Sequence, residues 1–230
     1  MKRISFGLLL VALLTAACNQ NKMPVDGYRS PADLYLDDDS LIYGTCGLAS
    51  TMNTLQLITT SNNDTLTLDL SPAREAGRVF GNYAFKDELC VAVNADTTQA
   101  NLVINKSALL GDWVRPNPLD GSTETGFSLR EGGEAESIDL TDILFRSWRL
   151  KNGLLQIIEV REDGTDVEDA RTFSIIRLTP DSLILREEGV EMDPNMRESD
   201  LIQEYGRLKM VPEEDLGIQL DDGMSEDFRM

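Results

Sequence analysis

Any chemistry in this chain has to be done without imidazole, because its 230 residues include no histidine. That removes the Ser-His-Asp arrangement, the histidine general base and the His-containing zinc site together. Chemistry without it would need Asp, Glu, Lys or Ser sites, and the chain also carries three thiols. Glu131, Glu134 and Glu136 could supply the paired carboxylates of glycoside hydrolysis. Nothing in the sequence sets a matched pair across a cleft, and carboxylates on a hairpin surface account for them more simply. Asp37-Asp38-Asp39 could gather calcium, but the run lacks the spaced oxygens and turn glycine of a calcium loop. It reads as solvated linker. Arg146, Arg149 and Arg177 could meet an anionic ligand, although surface ion pairs in an acidic chain explain them better. No catalytic, metal or cofactor site emerges, and the chain is read as a non-enzyme.

The thiols say more. Cys18 follows a positive start at Lys2 and Arg3, nine apolar or small residues from Phe6 to Leu14, and the small residues Thr15-Ala16-Ala17. The apolar run is too short to span a bilayer stably, and small residues suit a signal-peptide cleavage site. With a cysteine directly after them, this segment resembles a bacterial lipoprotein box. The resemblance implies loss of residues 1–17, acylation of Cys18 and a lipid bilayer as first partner. Several acyl chains hold durably, since each buried methylene contributes about 0.8 kcal/mol. Asn19 and Gln20 come next, with neither an Asp directly after the cysteine nor an acidic run. That implies the periplasmic face of the outer membrane, with surface display left open. Cys46 and Cys90 lie 44 residues apart. In an oxidising periplasm they could form a disulfide, which a loop of that length would make worth about 4 kcal/mol. Two buried free thiols fit their apolar neighbours as well.

The formal net charge is −19, and loss of Lys2 and Arg3 with the leader makes it more negative. Nucleic acid is excluded as a partner, because phosphates need Lys and Arg. From Glu187 to Met230 there are 14 acidic and 4 basic residues, so 189–230 reads as an acidic, partly disordered tail.

The elements that position these residues read as all-β. Residues 18–42, with Pro24, Gly27 and Pro31, form a tether behind the lipidated cysteine. Residues 43–104 form a first domain. Thr54–Thr59 and Thr65–Leu70 alternate around the turn Asn62-Asn63-Asp64, and further strands fall at Val79-Phe80, Glu88–Val93 and Asn101–Ile104. About five strands in so short a span predict a small barrel-like unit. Residues 105–188 form a second domain of about seven strands. Its hairpins turn at Glu131-Gly132-Gly133, at Lys151-Asn152-Gly153 and at Pro180-Asp181-Ser182. Closing such a meander into a barrel removes its edges. Trp113, Phe127, Leu129, Trp148 and Phe173 are its candidate cavity or core residues, with core the commoner role for such side chains.

Four stretches of this second domain carry a likeness to a known family. They are Leu109-Leu110-Gly111-Asp112-Trp113, Gly126–Ala135, Trp148 with Asn152-Gly153-Leu154-Leu155, and Ile176–Leu185. Over residues 107–188 the chain is similar to the lipocalin-like domains of lipoproteins in Bacteroides and its relatives. The likeness implies a small antiparallel barrel, with Trp113 packed across its closed end. The function expected is a non-catalytic binding or interaction module, for a small apolar ligand or an envelope protein. The alternatives are a structural or assembly lipoprotein without a ligand and, far behind, an enzyme.

Overall fold

Alternating side chains do become strands, but the two halves of the chain close differently. The computed structural model describes residues 41–117, 121, 123–139, 144–160 and 170–208. Cys18, the leader, the tether up to residue 40 and the end of the tail from 209 onward lie outside the described residues.

The first half contains β1 (Leu41–Cys46), β2 (Thr54–Thr59), β3 (Thr65–Asp69), β4 (Val79–Phe80), β5 (Glu88–Val93) and β6 (Ala100–Asn105), with α1 (Ser71–Glu75) between β3 and β4. These strands form one sheet in the order β3-β2-β1-β5-β6-β4. The barrel-like unit expected here is therefore corrected to an open sheet. Its edges, β3 and β4, do not pair with each other, and an isolated bridge between Asp69 and Gln99 does not extend into a ladder. The reason is local. Edge β4 is two residues long and runs parallel to β6. Pro72 starts α1 where a closing strand would be needed, since proline suits a helix's first turn and supplies no N–H to a ladder. Ala73 then buries the helix against the sheet.

Strands β5 and β6 are apolar on both faces. Leu89, Val91 and Val103 join Cys46, Leu55, Leu57, Leu68 and Leu70 in one core. Cys90, Ala92, Leu102 and Ile104 join the other core, shared with the second half of the chain.

That half contains α2 (Lys106–Leu109), β7 (Gly111–Pro116), β8 (Glu124–Leu129), β9 (Ala135–Ile138), β10 (Leu144–Lys151), β11 (Leu154–Val160), β12 (Arg171–Leu178), β13 (Ser182–Glu188) and β14 (Ile202–Arg207). Its sheet runs β10-β11-β12-β13-β14-β7-β8-β9. The last strand pairs with the first, Arg207 opposite Trp113. The edges β9 and β10 meet at a bridge between Glu134 and Ser147, and Phe145 donates its N–H to Ser137 Oγ at 2.8 Å. The result is a near-closed antiparallel barrel. Strand β14 falls inside the stretch that composition assigns to the tail. The β10–β11 turn is built as its Asn-Gly requires, with Asn152 at φ 51° and Gly153 at φ 73°. Strands β7 and β8 approach so closely at Gly126 that a Cβ there would lie 1.9 Å from the Trp113 carbonyl oxygen.

The open sheet covers one end of the barrel. Tyr43 donates its hydroxyl to the Leu150 carbonyl at 2.9 Å, and Gly81 N–H to the Leu178 carbonyl at 3.2 Å.

Candidate functional site

The five candidate cavity or core residues come together inside the barrel. Trp113, Phe127, Leu129, Trp148 and Phe173 are buried in one cluster. Each indole N–H is bonded to backbone, Trp113 Nε1 to the Leu109 carbonyl at 2.8 Å and Trp148 Nε1 to the Arg130 carbonyl at 2.9 Å. Phe127 meets Tyr205 edge-on at 4.9 Å between ring centroids, and Phe145 at 6.1 Å. These contacts fix the aromatic side chains in edge-on packing.

At the covered end, Arg207 lies 4.1 Å above the Trp113 ring. It donates to three backbone carbonyls, those of Pro180 (2.6 Å), Leu110 (2.6 Å) and Ala108 (2.8 Å). Burial lowers its pKa, and the charges of Asp181 and Asp112 only partly offset this.

At the opposite end the inward side chains are polar. Arg171 lies 5.2 Å above the Phe173 ring and forms a two-pronged ion pair with Glu187, at 2.9 and 2.8 Å. Glu159 is 3.5 Å from its Nε, an ion pair too long for good hydrogen-bond geometry, which leaves Glu159 Oε1 buried without a hydrogen bond. Gln203 donates to Glu187 at 2.9 Å and accepts from the Tyr205 hydroxyl at 2.5 Å. Four neighbouring strands are thereby tied across the mouth. Burial raises the Glu159 pKa, Arg171 opposes it, and the Glu187 charge adds to it. Burial alone would pull Arg171 down; its bond to Glu187 and the charges of Glu187 and Glu159 more than reverse this.

Cys46 and Cys90 are free and buried, so the disulfide reading is corrected. Strand register is the reason. Cys90 sits opposite Tyr43, three residues before Cys46 on β1. Side chains alternate along a strand, so the two thiols face opposite sides of the sheet, with about 10 Å of strand between them. A disulfide requires Cα atoms within about 7 Å. Burial pushes the Cys90 thiol up to about 11, so it is inert as a nucleophile at neutral pH.

The open space lies elsewhere, in a cleft of about 580 Å³ between the loop after β1 and the loop after β4. Leu48, Met52 and Phe85 on its walls are 76%, 74% and 48% exposed. The walls are braced. Gln56 accepts from the Ala49 N–H at 3.1 Å and bonds Ser50 through its backbone. Tyr83 donates to the Thr51 carbonyl at 3.0 Å, which joins the two loops. Asn105 at the start of α2 donates to Asn82 O at 2.5 Å and to Asp87 Oδ2 at 2.9 Å. Such bracing makes a preformed recess, the usual form of a binding site. Sequence reasoning passed over these residues. Their signal was large apolar side chains inside turn-rich segments, Gly47–Asn53 and Gly81–Asp87.

Among the described residues, no group of three or more Cys, Asp or Glu is arranged to hold a metal ion, and no helix is long and apolar enough to cross a membrane.

Residues 105–196 match the lipocalin-like family model. The match covers α2 through the segment after β13 and stops short of the closing strand. A lipocalin-like protein from Bacteroides thetaiotaomicron VPI-5482, known from its crystal structure, is 27% identical over 44% of this chain and 97% of its own. Its TM-score against this structure is 0.34. No curated protein matches the chain. The family-model match falls on the barrel, while the cleft beside it is lined mostly by loops of the preceding sheet.

Proposed function

We propose that this chain is a lipid-anchored envelope protein acting as a non-catalytic interaction module, with the lipocalin-like barrel as a rigid platform and the cleft of the open sheet as the receiving surface. The occupant is an apolar segment of an envelope protein. One contrast carries the reading: the barrel's tryptophans are sealed in core, whereas Leu48, Met52 and Phe85 stand exposed around a braced cleft. Exposed apolar side chains gathered around a recess mark interaction surfaces. A small apolar ligand held between Trp113 and Trp148 is disfavoured by their packing. The anchor at Cys18 and the outer-membrane address are supported by the leader sequence and the cysteine behind it.

A photo-crosslinking residue placed at Met52 or Phe85 of the full chain, in its native cells, tests the surface. One protein captured at both positions, and not from a crosslinker at Arg149 on the barrel wall, is the expected result. Equal capture from all three positions, or a stoichiometric small molecule retained in native mass spectrometry, would overturn it. For the anchor, Cys18→Ser should abolish labelling by radioactive palmitate and release the protein from membranes. Unchanged labelling would sink that part of the reading.

A further inference from the structure

The atom of the cleft most open to chemistry is a sulfur. Met52 stands on the wall it shares with Leu48 and Phe85, and it is 74% exposed. Its backbone is held on both sides. Thr51 donates its N–H to the Thr54 carbonyl at 2.7 Å and accepts from the Tyr83 hydroxyl at 3.0 Å, and the Asn53 carbonyl accepts from the Leu70 N–H at 2.8 Å. A held backbone under an exposed side chain keeps the thioether in the recess. Among the described residues Met192 and Met196 follow β13 on the barrel, and neither lines the cleft.

The two described thiols, the more usual targets of an oxidant, are shielded. Cys46 also lines the cleft but is 2% exposed, with its Sγ 3.3 Å from Ser50 Oγ, and Cys90 is fully buried. Thiols react as thiolates, and burial pushes Cys90 up to about 11. A thioether needs no ionisation to be oxidised, only access.

We propose that Met52 is a sulfoxidation site, and that its oxidation lowers the affinity of the cleft for apolar occupants. The oxidant is a peroxide. The lone pair of Met52 Sδ attacks one peroxide oxygen, and the S–O bond forms as the O–O bond breaks. The hydroxide that leaves takes the proton of the transferred oxygen and departs as water. Sulfur is oxidised by two electrons and the peroxide is reduced by two. The sulfoxide is a polar acceptor on a wall that was apolar, and sulfoxide reductases reverse the change. An apolar occupant offers it no donor, so the acceptor loses its water without replacement, a penalty that weakens binding about ten-fold. The effect on a protein partner rests on the interaction reading; the oxidation and its effect on the cleft are read on the purified chain alone.

Dilute hydrogen peroxide added to the purified full chain tests it, read by peptide mass spectrometry and by titration with the apolar dye anilinonaphthalene sulfonate. Met52 should gain its oxygen before Cys46 or Cys90 reacts, and dye affinity should fall about ten-fold with the circular dichroism unchanged. Met52→Leu should keep its dye binding through the same treatment, and Met192→Leu should lose it as the unsubstituted chain does. Thiol oxidation ahead of Met52, an equal loss of dye in Met52→Leu, or full dye binding with Met52 oxidised would each overturn the proposal. So would the absence of dye binding before treatment, or a loss of dye that accompanies unfolding. In cells, peroxide should lower capture from a crosslinker at Phe85 about ten-fold, and leave it unchanged in Met52→Leu. Met52 sulfoxide with loss of dye, but no protein captured from Phe85, would leave the modification standing and sink the interaction reading. Undiminished capture with Met52 fully oxidised would do the reverse.

Discussion

The two ends of the barrel solve one problem in opposite ways. Each holds an arginine over a core aromatic, Arg207 over Trp113 and Arg171 over Phe173. At the base the guanidinium is bonded to backbone carbonyls, and at the mouth to carboxylates. Carbonyls carry no charge to titrate, and they belong to the strand and helix ends that the arginine ties together. The base is therefore tied through backbone, with the charges of Asp112 and Asp181 close to the guanidinium. The mouth is held by an ion pair between Arg171 and Glu187, with the buried carboxylate of Glu159 beside it. The ion pairs sit where solvent can reach them, and the seal sits where the open sheet covers the barrel.

Trp113→Ala should have the largest effect, a loss of about 4 kcal/mol, since it removes a fully buried indole and leaves a cavity. Urea unfolding followed by circular dichroism reads it. A loss below about 1 kcal/mol would mean that the base is not the seal described here.

Arg207→Met leaves three carbonyls without their donors and should cost about 3 kcal/mol at neutral pH. Arg171→Met should cost less, about 1–2 kcal/mol at neutral pH, because water reaches the carboxylates it abandons. Equal losses would erase the distinction between the two ends.

The smallest effect concerns Glu159. Burial raises its pKa above the ordinary carboxylate range in the folded state. The folded protein then binds this proton more tightly than the unfolded chain does. Stability contributed by the group is present in acid and falls as pH rises through the window between the unfolded and folded values. Glu159→Gln should remove that shallow decline, measured as the urea midpoint from about pH 4 to pH 7. An unchanged slope would show that Glu159 is not the titrating group.

Strand positions were legible because alternation is local. Thr54–Thr59 and Val79-Phe80 were read to the residue, as was the Asn152-Gly153 turn. β1 and β14 were missed for different reasons. Leu41–Cys46 begins beside the Asp37–Asp39 run, and its Gly44 weakens the pattern, although a Cβ there would meet the Ile58 carbonyl oxygen at 2.4 Å. In β14 only Gln203 and Tyr205 face inward among charged and polar residues, so composition masked the period. The cleft was not legible because its walls come from two loops joined by pairing across β1 and β5.

What the sequence determined by itself is the β-rich character, most strand positions, the hairpin turns and the buried fate of its tryptophans. All of these follow from side-chain size and a period of two residues. Tertiary structure alone decided that the first sheet stays open while the second nearly closes, that Cys46 and Cys90 face apart, and that Arg207 rather than another cation covers Trp113. Each of those depends on which distant strand supplies the hydrogen-bonding neighbour and in what register. A shift of one residue in that register would turn every side chain to the other face.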